Sequence, residues 1–301
     1  MIYVRHSPFT ATTIPHLDQN PGRLDPYRKA SIFTKKQEEL LHPTFIEFSP
    51  DCKKYDLVYI VKESESNVDL KYSLRSICKF CEFNKVWIVG YKPKWIKDVE
   101  YIPTKQSGNK WENSMVNYAA ACDCPEISDN FVLMNDDFFA IRQIIDWKVS
   151  TNKCLGTIDE KIQMLKSRRM LSRWQSAFTF AKELLQKLEC TSQYNYETHL
   201  PIIINKANFK EMLDMPVIKE FMQTDKVLHK RSVYKNLFQD PNIIPNKITD
   251  VKIELQKDLD SLALTEDWIS VYDYVVDNIR RYPKINKLLR SLFADKCRFE
   301  V

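Results

Sequence analysis

Glycine is scarce in this chain, which has only four among its 301 residues: Gly22, Gly90, Gly108 and Gly156. Loops that cradle phosphate with backbone N–H groups need several glycines close together, because side chains would block the approach of the phosphate. The sequence therefore excludes a Walker loop and a Rossmann dinucleotide fingerprint. A nucleotide bound by this chain must be held by side chains or by a metal ion.

Long hydrophobic runs are also missing. Hydrophobic residues make up 44% of the chain, yet no apolar run reaches the roughly 18 residues that a membrane-spanning helix needs. Residues 1–6 lack the continuous apolar core of a signal peptide. The tight cysteine pairs, Cys78/Cys81 and Cys122/Cys124, do not combine into a zinc-ribbon pattern, and reduced thiols fit a cytosolic protein. We expect a cytoplasmic protein with no membrane span.

Short apolar runs alternate with amphipathic stretches over much of the chain. Residues 56–61, 86–89 and 131–134 are typical of buried strands, whereas residues 69–83 and 109–122 place apolar side chains at helical spacing. Strands that alternate with helices require a parallel sheet with right-handed crossovers. The sequence therefore predicts an α/β fold with a mostly parallel sheet flanked by helices.

Three regions of the chain differ in pattern. Residues 1–52 show little periodicity and are predicted to form an N-terminal arm packed on the core. Residues 53–205 carry the alternating pattern and are predicted to form the α/β core. Residues 206–301 are mainly amphipathic and are predicted to form a largely helical C-terminal region, on the side where an acceptor would bind.

Two adjacent carboxylates make residues 131–139 the most informative stretch, because an apolar run leads directly into Asp136 and Asp137. Ligands in open α/β sheets bind beyond the carboxyl ends of such strands. Neighbouring like charges favour a shared cation, and a divalent metal ion that bridges nucleotide phosphates meets this need. The sequence predicts a Mn²⁺ or Mg²⁺ site at Asp136 and Asp137. The alternative is a solvated Asn-Asp-Asp turn.

Several short motifs follow one another along the chain, at residues 56–59, 71–77, 86–90, 134–139, 196–201 and 229–238. Their order is similar to that of the motifs in the Stealth proteins. The chain therefore resembles this family of sugar-phosphate transferases and related glycosyltransferases, and it is also similar to abbreviated members encoded by bacteriophages. The resemblance implies a GT-A-like core that binds a nucleotide sugar. Residues 60–64 depart from the family's Trp-Val-Asp/Asn-Gly turn, which favours sugar transfer over sugar-phosphate transfer.

The resemblance also implies roles for individual residues. His199 and Glu197 lie in a segment similar to the family's Glu-x-His-x-Pro region, and both are predicted to be catalytic together with Asp137. An imidazole can accept a proton near neutral pH. The residues predicted to contact the donor are Arg75, Asn113, Asn135 and Arg231. The alternatives are a structural histidine, an Arg75 ion pair with a carboxylate, and a solvated helix start at Arg231.

Together these patterns predict a metal-dependent glycosyltransferase. It would move a sugar from a nucleotide-sugar donor to a hydroxyl of a glycan or of a hydroxymethylated DNA base. One alternative is a hexose-1-phosphate transferase of the Stealth type. A second alternative is a non-catalytic DNA-binding module, which the net charge of +5 permits.

Overall fold

The computed structural model describes residues 35–41, 43, 45–48, 53–64, 66–106, 108–240, 242–253, 266–271 and 282–301. Its helices are α1 (Lys35–Leu41), α2 (Val68–Phe80), α3 (Lys110–Asp123), α4 (Trp147–Thr151), α5 (Ile158–Leu165), α6 (Arg173–Lys187), α7 (Lys206–Asp214), α8 (Pro216–Met222), α9 (Lys230–Phe238) and α10 (Pro283–Leu292). Its strands are β1 (Asp56–Val61), β2 (Val86–Gly90), β3 (Glu100–Pro103), β4 (Asn130–Asn135), β5 (Phe138–Ala140), β6 (Lys153–Cys154), β7 (Ile202–Asn205), β8 (Asn246–Lys247), β9 (Lys252–Ile253) and β10 (Trp268–Val271).

A five-stranded sheet in the order β3-β2-β1-β4-β7 forms the centre of the molecule. The first four strands are parallel, and β7 joins the edge antiparallel to β4. The strands β1, β2 and β4 are almost entirely buried, as their continuous apolar runs require in a sheet covered on both faces. The predicted α/β fold with a mostly parallel sheet is confirmed.

Two apolar clusters cover the two faces of this sheet. Leu57 and Tyr59 of β1 belong to one cluster, which also includes residues of α2 and α10. Val58, between them, belongs to the other, which includes residues of α3, α6 and α9. This division follows from strand geometry, because successive side chains of a strand point to opposite faces.

Local sequence sets the start of several helices. In each case an Asn, Thr or Ser side chain accepts a hydrogen bond from the third helical residue, whose own Glu or Gln side chain bonds back to the capping residue. Such capping boxes satisfy backbone N–H groups that have no partner within the helix. The pairs are Asn109/Glu112 in α3, Thr157/Glu160 in α5 and Ser172/Gln175 in α6.

A smaller sheet in the order β5-β10-β9 lies directly after the two adjacent aspartates. In its register Phe138 of β5 pairs with Ser270 of β10, and Ser270 pairs with Lys252 of β9. Helices predominate after residue 205 as predicted, but the described part of that region also supplies β8, β9 and β10. Two segments that are distant in sequence therefore meet beside Asp137.

The described residues cover only part of the predicted organisation. Most of the arm predicted over 1–52 lies outside them, and the boundaries at 52 and 205 stay predictions. Within the part of the chain that the structure describes, no helix is both long enough and apolar enough to cross a membrane. The cysteines in that part are free thiols.

Candidate functional site

The carboxyl edge of the central sheet carries the two adjacent aspartates. Asp136 and Asp137 form the turn that joins β4 to β5. Asp136 is half-buried, whereas Asp137 is only 7% exposed. The alternative of a solvated turn does not hold for Asp137, because the second sheet packs over it. A buried carboxylate needs hydrogen bonds or an opposite charge to offset its desolvation.

The second sheet supplies those partners to Asp137. The Ser270 Oγ donates a hydrogen bond to its Oδ2 over 2.8 Å. The Lys252 Nζ lies 3.6 Å from the same oxygen. Both contacts follow from the strand register, because β5, β10 and β9 align Phe138, Ser270 and Lys252 in one row next to Asp137. The carboxylate is thus held in a fixed orientation.

His199 is paired with an acidic residue that the sequence did not single out. The Nδ1 of His199 lies 2.8 Å from Oδ1 and 3.0 Å from Oδ2 of Asp250. The His199 side chain is 28% exposed. A carboxylate at Nδ1 favours a proton on that nitrogen and leaves Nε2 as the acceptor of the neutral ring. This is the arrangement that a general base requires.

Lys252 links this pair to Asp137. Its backbone N–H donates to Oδ1 of Asp250 over 3.2 Å, while its ammonium faces Asp137. Burial opposes the ionisation of Asp250, but the hydrogen bond from His199 and the charges of His199 and Lys252 together lower the pKa of Asp250. We call the five residues Asp137, His199, Asp250, Lys252 and Ser270 the Asp–His cluster.

Three members of the Asp–His cluster were missed in the sequence. They are Asp250, Lys252 and Ser270, which occupy short stretches without a recognisable motif. Their position depends on the pairing of β9 and β5 with β10, which is a contact between distant parts of the chain. The only local signal was the alternation of polar and apolar residues around 250–253, which is typical of a half-buried strand.

Glu197 lies elsewhere, buried beneath the start of α9. Its Oε1 accepts a hydrogen bond from the Ser232 backbone N–H over 3.0 Å, and its Oε2 lies 3.7 Å from the His229 Nδ1. Burial alone would raise its pKa, but the nearby positive charges of His229 and Arg231 and the Ser232 N–H lower the pKa to about 2. Such a carboxylate accepts protons poorly near pH 7, so the predicted catalytic role does not fit this position.

Arg231 fixes the segment that carries His199. Its guanidinium donates to the carbonyl oxygens of Thr198, over 2.5 Å, and of Leu200. The same group lies over the Phe138 ring, with Cζ 5.5 Å from the ring centroid. Arg231 was predicted to contact the donor, whereas these bonds make it a positioning residue that fixes the backbone on both sides of His199.

Arg75 is part of a different structure from the one predicted. Its Nε and Nη2 donate to the two carboxylate oxygens of Glu300 over 2.6 and 2.7 Å. Its Nη1 donates to the carbonyl oxygens of Phe293, over 2.8 Å, and Ala294, over 3.2 Å. All three guanidinium nitrogens are therefore committed to the C-terminal segment. The donor contact predicted for Arg75 is replaced by an ion pair, the alternative that the sequence left open.

Two asparagines were also predicted to contact the donor. Asn113 closes the loop before α3, because its side chain accepts from the Gly108 N–H over 3.0 Å and donates to the Gly108 carbonyl over 2.9 Å. Asn135 ends β4, is half-buried and pairs with Ile60 in the sheet register. Asn135 thus lies directly beside Asp136 at the carboxyl edge, while Asn113 has a local structural role.

Asp136 and Asp137 carry carboxylate oxygens, which are the ligand type that a divalent cation such as Mg²⁺ prefers. Such ions bind through one or two carboxylates and complete their coordination with substrate phosphates and water. In the described residues no three His, Cys, Asp or Glu side chains converge as metal ligands. A cation at Asp136 and Asp137 would therefore depend on the phosphates of a donor for further ligands. Lys252 would share the neutralisation of Asp137 with it.

Comparison with known proteins shows a sequence similarity to a curated relative. No protein-family model matches the chain. The capsular polysaccharide phosphotransferase of Actinobacillus suis is 22% identical over an alignment of 197 residues, and the match covers 58% of this chain and 51% of the relative. The chain thus spans about half the length of this curated relative. The match confirms the predicted resemblance as far as a phosphotransferase of capsular polysaccharide.

Solved structures that are similar to the chain in three dimensions include two glycosyltransferases. The galactosyltransferase LgtC, in complex with donor and acceptor sugar analogues, gives a TM-score of 0.45 at 8% identity and covers 81% of this chain and 98% of that one. The apo form of the glycosyltransferase GlyE from Streptococcus pneumoniae TIGR4 gives a TM-score of 0.37 at 9% identity and covers 72% of this chain and 54% of that one.

Proposed function

We propose that this chain is a transferase that moves a sugar, or a sugar phosphate, from a nucleotide-sugar donor to an acceptor hydroxyl. The observation that carries the proposal is the His199–Asp250 pair, which lies in one cluster with the buried Asp137 at the carboxyl edge of a parallel sheet. The name of the curated relative, a phosphotransferase, supports the same class of reaction. The acceptor we propose is a glycan or a hydroxymethylated DNA base.

In this proposal His199 is the general base. Its Nε2 accepts the proton of the acceptor hydroxyl while the oxygen attacks the donor. The Nδ1–H stays bonded to Asp250, whose negative charge stabilises the imidazolium that forms. The hydrogen bonds from Arg231 to Thr198 and Leu200 hold the ring in position, because they fix the backbone on both sides of His199.

The aspartates serve the leaving group in this scheme. Asp136 and Asp137 would hold a Mn²⁺ or Mg²⁺ ion, which when bound offsets the charge that develops on the departing phosphates. Ser270 and Lys252 keep the Asp137 carboxylate in one orientation. Asn135, at the end of β4, is placed to contact the donor at the same edge.

The bond that breaks distinguishes sugar transfer from sugar-phosphate transfer. Attack of the acceptor oxygen on the anomeric carbon breaks the bond between that carbon and the phosphate oxygen, and a nucleoside diphosphate leaves. Attack on the phosphorus next to the sugar breaks the phosphoanhydride, and a nucleoside monophosphate leaves. We propose sugar transfer. The name of the curated relative favours sugar-phosphate transfer as the second candidate.

One experiment tests the class of reaction and chooses between the two. The purified chain is incubated with a panel of nucleotide sugars, Mn²⁺, and glycan or hydroxymethylated DNA acceptors, and the released nucleotides are separated by chromatography. We expect acceptor-dependent release of the diphosphate in wild type and a loss of roughly 10²- to 10⁴-fold in His199→Ala. Release of the monophosphate would select the second candidate. An undiminished rate in His199→Ala, or no release from any donor, contradicts the proposal.

A further inference from the structure

A cavity of about 240 Å³ lies apart from the Asp–His cluster, where the starts of α3, α6 and α9 meet the end of α8. Its buried wall includes Val227 and Leu228. Trp111 and Lys230 line it as half-buried side chains, and Arg173 lines it as an exposed one. The cavity therefore combines an apolar wall with cationic groups, a combination that suits an anionic group attached to a larger molecule.

Lys230 is the unusual residue of this cavity. Its Nζ lies 4.7 Å from the centroid of the Tyr118 ring, and among the described residues it has no hydrogen bond or ion pair with a carboxylate. Burial lowers the pKa of Lys230 to about 8, with Glu197 acting to raise it and Arg231 to lower it. A half-buried ammonium without an acidic partner costs free energy unless an anion binds beside it.

The carboxylates that line the cavity do not neutralise Lys230. Glu112 is occupied in the capping box of α3, where its two oxygens bond to the backbone and side chain of Asn109. Asp225 is exposed to solvent, and so is Lys226 beside it. Arg173 stacks on Trp111, with Cζ 5.1 Å from the ring centroid, and its Nη2 donates to the Asp225 carbonyl oxygen. Among the described residues, no carboxylate of the cavity wall therefore neutralises the Lys230 ammonium.

We infer that this cavity binds a phosphate group of the substrate, with Lys230 as its main contact and Arg173 at the exposed edge. The identity of the substrate class rests on the proposed function. The next residue of α9, Arg231, contacts Phe138 and Thr198, so the same helix start joins the cavity to the Asp–His cluster. The phosphate can belong to the nucleotide donor or to a phosphorylated acceptor, and both share the same chemistry.

Calorimetric binding to the full chain tests this inference without turnover. The probes are inorganic pyrophosphate, uridine diphosphate and glucose 1-phosphate, each measured at pH 7 with wild type, Lys230→Met, Lys230→Arg and Lys235→Met. Lys235 is the matched control, because it lies on the same helix, is half-buried over a Tyr196 ring and has its pKa lowered to about 8 by burial, but does not line the cavity.

We expect Lys230→Met to weaken binding of pyrophosphate and of one further probe by about tenfold or more, and Lys235→Met to leave both unchanged. Lys230→Arg should retain most of the affinity. In wild type, binding should weaken as the pH rises through about 8, since the ammonium that attracts the anion loses its proton. Glu197, Arg231, Arg173, Lys226, Glu112 and Asp225 are the other charged groups that face or line the cavity.

The second probe whose binding weakens in Lys230→Met identifies the source of the phosphate. Weaker binding of uridine diphosphate indicates the donor, and weaker binding of glucose 1-phosphate indicates the acceptor. Wild-type affinity for all three probes in a folded Lys230→Met variant overturns the inference, as does a wild type that binds none of them. If Lys230→Met does not fold, an unaltered affinity of wild type between pH 7 and about pH 9.5 overturns it instead. These outcomes are independent of the proposed function, which fails on product release and on His199→Ala.

Discussion

The imidazole of His199 and the carboxylate of Asp250 are joined by a 2.8 Å contact between residues 51 positions apart. The pair exists because the segments that lead into β7 and β9 meet at the same edge. The strand β7 begins shortly after His199, and its first residue, Ile202, pairs with Leu133 near the carboxyl end of β4. The strand β9, just after Asp250, pairs with β10, which in turn pairs with β5 beyond Asp137. The geometry of the proposed base is thus a product of tertiary structure.

The first prediction concerns the role of Asp250. In Asp250→Asn the amide lacks the negative charge that stabilises the imidazolium, so turnover should fall on the order of 10- to 1000-fold. The Michaelis constant for the donor should change little, because the charge matters most in the transition state. Steady-state kinetics with varied donor measures both. Equal turnover in Asp250→Asn and wild type would leave the pair with a structural role only.

The second prediction concerns Glu197 and the pH dependence of stability. Its pKa is about 2 in the folded chain against an ordinary value of 4.5, so its stabilising contribution is complete above pH 4.5 and is lost as the pH falls toward 2. The full contribution is about 3 kcal/mol at most. Urea unfolding gives the free energy of unfolding of wild type and Glu197→Gln at each pH between 2.5 and 7. The difference between the two proteins should shrink as the pH falls. A difference that is the same at every pH would contradict the low pKa of Glu197.

Local and distant determinants explain which features the sequence could predict. The strands β1, β2 and β4 are continuous apolar runs, and their burial needs no information beyond neighbouring residues. The helix that carries Arg75 could also be predicted from a local pattern, because its apolar side chains recur at helical spacing. The partner of Arg75 could not be predicted in this way, because Glu300 lies 225 residues away. Asp250 was missed for the same physical reason, since its contact with His199 requires the second sheet to form.

The third prediction separates the structural role of Arg75 from a role in donor binding. The side chains of Arg75 and Glu300 are 13% and 4% exposed, so Arg75→Met leaves a buried carboxylate without its partner. The free energy of unfolding should fall by about 3 to 5 kcal/mol. The double variant Arg75→Met/Glu300→Gln should recover part of this loss. Donor affinity should equal that of wild type, and weaker donor binding at unchanged stability would restore the donor role.

The fourth prediction locates the divalent cation by comparing two substitutions that remove charges of opposite sign. A cation held by Asp136 and Asp137 competes with the Lys252 ammonium, which lies 3.6 Å from Asp137 Oδ2. Asp137→Asn removes a ligand charge and should weaken Mn²⁺ binding in the presence of uridine diphosphate. Lys252→Met removes the competing charge and should leave Mn²⁺ binding unchanged or strengthen it. Electron paramagnetic resonance of free Mn²⁺ measures both effects without turnover.

A control for this fourth prediction comes from Ser270→Ala, which removes the 2.8 Å hydrogen bond to Asp137 but changes no charge. Its effect on Mn²⁺ binding should be smaller than that of Asp137→Asn, because a neutral hydrogen bond contributes about 1 kcal/mol whereas the carboxylate is a direct ligand. Chelation with EDTA should abolish transfer, and added Mn²⁺ or Mg²⁺ should restore it. Full activity in EDTA, or Mn²⁺ binding that is equal in Asp137→Asn and wild type, would remove the cation from this pair. The Lys252 ammonium would then be the cation that lies beside Asp137 during the reaction.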